Sequence, residues 1–136
     1  MATPTPTPTP SPTPTPTTDP ENYRAIVASG DSLSSGFKLG LGRCAALRSP
    51  SALTSTSAKM LFWGSVDGVT YSPIYNAGSQ YVEAGLSTSE ARWFVLDRDT
   101  VFPFTWIKFQ IVAADGSTAV AQGANRVFTV LIDAVL

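Results

Sequence analysis

The chain has 136 residues, ten acidic and nine basic side chains, a formal net charge of −1, one cysteine and no histidine. Without histidine, the usual zinc and haem ligand sets and the Ser-His-Asp and Cys-His catalytic pairs lose a member, and a lone cysteine excludes an intramolecular disulfide. The cations are scattered along the chain at Arg24, Lys38, Arg43, Arg48, Lys59, Arg92, Arg98, Lys108 and Arg126, which argues against a nucleic-acid partner, because phosphate binding rests on clustered Lys and Arg.

Residues 1–20 read as an extended arm. Thr3, Pro4, Thr5, Pro6, Thr7, Pro8, Thr9, Pro10, Pro12, Pro14 and Pro16 belong to an alternating run broken only by Ser11, and eight of the eleven prolines fall before residue 21. Each Pro fixes its own φ, lacks an amide hydrogen and pushes the preceding residue out of the α region, so the run is restricted to polyproline II or coil. At about 3.1 Å per residue it would reach on the order of 45 Å. Almost nothing precedes it, so it is expected to act as an arm contacting a partner and not as a linker. The N-terminus has neither a basic n-region nor an apolar h-region, and no apolar run approaches the roughly 18 to 20 residues of a bilayer span, so no membrane partner is expected.

Residues 21–136 read as one domain, neutral by count and long enough for one core. Strands are predicted over Tyr23 to Ser29, Gly36 to Leu39, Arg43 to Arg48, Lys59 to Ser65, Thr70 to Tyr75, Gln80 to Glu83, Trp93 to Asp97, Ile107 to Ile111 and Val127 to Leu136. The stretch Ile107 to Ile111 alternates with Lys108 and Gln110, the clearest half-buried strand. Val127 to Leu136 is apolar at both phases and reads as a central strand covered on two sides. Asp67-Gly68 marks a hairpin turn of type I′ joining Leu61–Val66 to Val69–Tyr75. Further turns are expected at 29–31, 40–42, 76–78 and 115–116. Only Ser51 to Lys59 and Ser87 to Arg92 have room for a helical turn, and both are rich in Ser and Thr, which compete with the helix backbone. Together these signals predict an all-β fold, an antiparallel sandwich or jelly roll of about nine short strands behind the arm.

The residues that could carry chemistry are few. Asp97 and Asp99 lie two apart at what reads as a strand exit, a place where a calcium site needs more oxygen ligands than the sequence supplies. Asp67 and Asp115 sit in tight turns and are expected to cap their own backbone. Ser29-Gly30-Asp31-Ser32 has the look of an esterase nucleophile segment but lacks the histidine that would serve as base. Cys44 reads as a small hydrophobe within a strand. No catalytic residue, metal or cofactor is therefore assigned. Trp63, Trp93 and Trp106, if they shared an exposed face, would make a sugar-stacking platform.

The segment Ser65-Val66-Asp67-Gly68-Val69-Thr70-Tyr71-Ser72-Pro73-Ile74-Tyr75 resembles a hairpin of small β-sandwich proteins of tailed bacteriophages, with discoidin-like jelly rolls as a broader likeness. Ile26 to Ser35 with Phe37, Leu39 and Gly40 is similar to the opening strand pair of that group. Trp106 to Phe109, Gln122, Arg126 and Val127 to Ile132 are similar to its late strands. The resemblance implies a non-enzymatic virion component made in the host cytoplasm. Its most direct form is a capsid decoration or cement protein whose partner is the major capsid protein, as a homo-oligomer with a trimer favoured. The alternative is a carbohydrate-binding module or a tail or fibre receptor-binding module.

Overall fold

Every long strand of this chain writes a hydrophobic residue at alternate positions, and the fold follows from where those residues are buried. The computed structural model describes residues 3–5, 24–39 and 43–134. Its elements are β1 (Arg24–Val27), β2 (Phe37–Lys38), β3 (Arg43–Arg48), β4 (Lys59–Ser65), β5 (Ser72–Pro73), β6 (Tyr75–Asn76), β7 (Ser79–Gln80), β8 (Val82–Ala84), β9 (Trp93–Val95), α1 (Arg98–Val101), β10 (Trp106–Val112) and β11 (Arg126–Ala134). The protein is an all-β sandwich. One sheet has the order β1-β11-β3-β9; the other runs β2-β10-β4-β5, with β8 sharing the β4 edge. The pairings are antiparallel, and the first described strand closes on the last through Ile26 opposite Val127.

In β10, Ile107, Phe109 and Ile111 are fully buried while Trp106, Lys108 and Gln110 are half-buried, as the period-two reading requires. Met60 and Phe62 of β4 and Phe128 and Val130 of β11 fill the same interior. The ring of Phe109 meets Phe128 of the facing sheet edge-on at 4.7 Å and lies 6.0 Å from Phe62, which stacks on Tyr81 at 4.9 Å. Each such ring contributes roughly 1.5–3 kcal/mol by burial, with a further increment of about 0.5–1.5 kcal/mol for a well-placed aromatic pair.

Among the described residues the predicted strand ranges survive with local changes; Tyr23, Val135, Leu136 and the turn expected at 40–42 lie outside them. Thr70 to Tyr75 divides into β5 and the start of β6, and Gln80 to Glu83 spans the end of β7 and most of β8. The strand β11 is central in its sheet, but only one of its faces is covered: Val127, Thr129 and Leu131 are exposed opposite the buried Phe128 and Val130. The apolar second phase therefore does not signal a third layer among the described residues. Neither Ser51 to Lys59 nor Ser87 to Arg92 is helical; Ser87 Oγ accepts from the amides of Ser89 and Glu90, the competition that disfavours a helix. The single helical turn among the described residues, α1, forms instead behind Asp97, whose carboxylate accepts the Asp99 amide.

The Asp67-Gly68 hairpin pairs as expected, Gly64 opposite Ser72 and Trp63 opposite Pro73, but its turn is not type I′. Gly68 has φ +78° and Asp67 does not share a positive φ. The loop is held by side chains: Asp67 accepts from the Val69 and Thr70 amides at 2.8 and 2.9 Å and from the Ser65 hydroxyl at 2.8 Å. The two-residue turn with positive φ at both centres is Ala77 (+53°) and Gly78 (+87°), closing β6 on β7.

Substituting Gly68 tests this loop directly. A Cβ there would lie 2.9 Å from the Trp106 indole in addition to meeting the positive φ, so Gly68→Val should lower stability by about 2 kcal/mol or more in a denaturant melt. Ala77→Gly, which relieves an αL alanine, should raise it by up to about 1 kcal/mol.

Candidate docking and ligand-binding faces

A two-layer sandwich presents two outward sheet faces, and here they differ in chemistry. On the β1-β11-β3-β9 sheet the outward residues form rows fixed by register: Ile26 beside Val127; Arg24, Thr129, Arg48 and Trp93; and Leu131, Ala46 and Val95. Exposure there is 41% for Ile26, 43% for Val127, 54% for Leu131, 75% for Val95 and 52% for Trp93. Four strands at about 4.8 Å and rows about 7 Å apart make this a patch roughly 14 Å on a side. Its β1 edge is where the chain from the N-terminal segment enters the sandwich.

The outward face of the second sheet is aromatic and cationic. Lys38 lies opposite Trp106, Lys108 opposite Trp63, and Trp63 opposite Pro73. The Lys108 ammonium sits 4.3 Å from the Tyr71 ring centroid, and the Lys38 ammonium 6.0 Å from that of Trp106. Trp106 also packs on Gly68, where no side chain intervenes. Burial raises the Tyr71 phenol above its ordinary pKa, with a smaller push from the Asp67 charge. The Trp63 indole N–H is enclosed without an acceptor among the described residues.

Of the three tryptophans read as a platform, Trp63 and Trp106 therefore share a face as diagonal neighbours of adjacent strands. Trp93 stands on the opposite sheet. Of the arm, Thr3, Pro4 and Thr5 are described and exposed without secondary structure; Pro6, Thr7, Pro8, Thr9, Pro10, Pro12, Pro14 and Pro16 lie outside the described residues.

The carboxylates have structural partners. Asp97 accepts from the Thr100 hydroxyl at 2.7 Å and caps α1, and the Asn76 amide donates to Thr100 Oγ1 at 2.7 Å. These residues line an open groove of about 460 Å³ with Tyr75 and Asp99. The Asp67 pKa is lowered to about 2, first by the Thr70 and Val69 amides and then by the Ser65 hydroxyl. That of Asp115 is also lowered to about 2, first by the Thr118 hydroxyl and then by the Thr118 and Ser117 amides. Burial and a hydrogen bond given to Glu83 push the Tyr81 phenol well above its ordinary value. No group of three or more Cys, Asp or Glu side chains able to hold a metal occurs among the described residues, and none of their helices is long and apolar enough to cross a membrane.

Ser29-Gly30-Asp31-Ser32 is a tight turn, Gly30 at φ +87° with its amide on the Gln122 carbonyl at 2.7 Å. It borders an open groove of about 720 Å³ lined by Ile26, Leu33, Ala119 and Ala121. Ser32 Oγ accepts from the Gln110 amide at 3.1 Å, and no base stands beside it. Nearby, the fully buried Gln122 accepts from the Thr54 amide at 3.0 Å and the Arg126 guanidinium at 3.3 Å, and donates to Ser57 Oγ and the Val120 carbonyl. It ties three loops into one end of the sandwich.

Sequence reasoning missed the outward apolar set Ile26, Val95, Val127 and Leu131, and the grouping of Lys38, Lys108 and Tyr71. The signal for the first was present: apolar residues at both phases of Trp93 to Val95 and of Val127 to Ile132 imply that one phase is exposed if no third layer exists. The second depends on which strands are neighbours, which one strand's pattern does not encode. No protein-family model, curated protein or solved structure matches the chain.

Because both turn carboxylates bind protons less readily in the folded chain than at their ordinary 3.8, their contribution to stability is complete above about pH 4 and is lost as pH falls through about 2. Carboxyl NMR titration should give midpoints near 2 for both. Thr118→Val should move Asp115 toward 3.8 and leave Asp67 in place. Gln122→Met should destabilise by about 2 kcal/mol, since the Thr54 amide and Ser57 hydroxyl lose their partner in a buried setting.

Proposed function

We propose that this chain is a non-enzymatic bacteriophage virion structural protein, a capsid decoration or cement protein that docks on the particle surface. The observation that carries the reading is the exposed apolar face of β1, β11, β3 and β9, to whose edge strand the Thr-Pro arm is joined in sequence. A free-standing domain gains nothing from leaving Val95, Leu131 and Trp93 in water on one sheet face, whereas a domain that covers them on a partner does. The resemblance of residues 65–75 and of the flanking strands to small phage sandwich proteins points the same way.

Magnitude decides how such docking would work. A patch of roughly 14 Å by 14 Å offers on the order of 200 Å², well short of the about 800 Å² per partner of a stable interface. The face alone would bind weakly. An arm that contacts the same or a neighbouring subunit turns the second contact into an intramolecular event, and linked weak contacts of this kind gain about 10²- to 10⁴-fold. Prolines at alternate positions also reduce the entropy the arm loses on docking. The partner in this reading is the major capsid protein, the location is the virion, and the chain is a homo-oligomer, with three copies around a local threefold as the favoured arrangement.

The test is co-sedimentation with purified particles that carry or lack the native chain. Full-length protein should rebind particles lacking it. Deleting residues 2–18 should leave the thermal midpoint unchanged and reduce occupancy by at least about tenfold. A Val95→Lys/Leu131→Lys pair should do likewise, since exposed substitutions shift stability by only about 0.5 kcal/mol. Absence of the native chain from particles, or rebinding that neither change weakens, would sink the reading.

A further inference from the structure

The chain contains only three lysines, Lys38, Lys59 and Lys108, and the fold gathers all of them on the outward face of the β2-β10-β4-β5 sheet. Lys38 stands opposite Trp106, Lys108 opposite Trp63, and Lys59 shares the outward phase of β4 with Leu61 and Trp63. Separated by 70 residues in sequence, Lys38 and Lys108 become diagonal neighbours through strand order, while Lys59 stands opposite Val112 at the other end of β4. The carboxylate within the strands of this sheet, Glu83, is in register with the buried Met60 and accepts from the Tyr81 hydroxyl. At the rim, Asp67 is engaged by Ser65, Val69 and Thr70, and Asp115 by Ser117 and Thr118, with Lys59 near enough to act on Asp115. Lys38 and Lys108 have ring faces for partners instead of acids.

Two long flexible ammonium groups held against aromatic rings have already lost part of the rotamer freedom that binding would otherwise remove. Beside them stand the half-buried Trp106, opposite Lys38, and Trp63, opposite Lys108, and the enclosed Trp63 N–H, the buried side-chain donor left without an acceptor among the described residues, belongs to the same face. We propose that this face binds an acidic polysaccharide, its carboxylate or sulfate groups meeting Lys38 and Lys108 and its sugar faces lying against Trp63 and Trp106. Charge density selects this polymer over a nucleic acid. Duplex DNA presents one charge per roughly 1.7 Å and each strand one per about 3.4 Å, so a chain of net charge −1 with Lys38 and Lys108 at the contact gains little from counterion release and repels the remaining phosphates. An acidic polysaccharide spaces its charges a sugar apart and interleaves them with apolar ring faces, matching the alternation of ammonium and indole. The face is a sheet surface and not a pocket, which suits an extended chain. This site is on the opposite sheet from the proposed particle-docking face and does not depend on it.

The experiment measures binding of the full-length chain to immobilised polygalacturonate, chondroitin sulfate, neutral dextran and oligo-dT at low and physiological salt. Both acidic polysaccharides should bind, more weakly as salt rises, neutral dextran should not, and oligo-dT should bind less tightly than either acidic polymer. A Lys38→Gln/Lys108→Gln variant should lose about tenfold in affinity. An Arg24→Gln/Arg48→Gln variant, which removes the same charge from the other sheet, should lose little. Trp63→Leu, with its fold checked by thermal melt, should weaken binding several-fold. Three results would overturn the proposal: no binding to either acidic polymer, tighter binding to oligo-dT, or an equal loss in the arginine variant.

Discussion

The contact between Phe109 and Phe128 is the point on which the two sheets depend. One ring comes from the centre of β10 and the other from the first half of β11, and they meet edge to face with centroids 4.7 Å apart. Their strands are the ones that recruit the rest: β10 pairs with β2 and β4, and β11 pairs with β1 and β3. A one-residue slip of either strand would send its entire buried set to solvent, so the contact fixes register as well as spacing. Once register is fixed, the outward residues have no freedom left. Trp106, Lys108 and Trp63 face out because Ile107, Phe109 and Phe62 face in.

This coupling explains how far the sequence could be read. Alternation marked β10 correctly, and turn residues located most boundaries among the described residues, because both signals are local. Apolar residues at both phases of β11 predict cover on two faces, but whether a second layer exists is a property of the whole chain. The Asp67-Gly68 turn shows a similar limit. Its hairpin formed, but Ser65 supplied a hydroxyl that lets Asp67 bind three donors from an ordinary φ, a local hydrogen-bond solution that a two-residue template omits. The positive-φ pair went instead to Ala77-Gly78, where the strands leave only two residues between them. Lysines distant in sequence looked scattered, and their gathering on one face needed strand order that periodicity alone does not supply.

The absence of histidine shapes the polar chemistry that remains. Without histidine, the side chain whose ordinary pKa lies nearest neutrality is missing, and the carboxylates and the amide with the most partners serve as architecture. Asp67, Asp97 and Asp115 each fasten a turn, and Gln122 satisfies four partners at one end of the sandwich. Groups committed in this way are poor general acids or bases, because a carboxylate already stabilised by two amides and a hydroxyl takes up a proton only near pH 2.

The two outward sheet faces divide the labour in physical terms. The β1-β11-β3-β9 face, with Arg24 and Arg48 in a row between its apolar residues, gains mainly by excluding water, while the cationic aromatic face gains from charge and weakens as salt screens it over about 8 Å at physiological ionic strength. Because the two lie on opposite sheets, about 10 Å of packed core separates them, and occupation of one leaves the other open. A sandwich attached through its apolar face would therefore hold the lysine and tryptophan face outward, toward whatever the surrounding solution presents. That arrangement requires no conformational change, since the same alternation that builds the core has already placed each set of side chains on its own side.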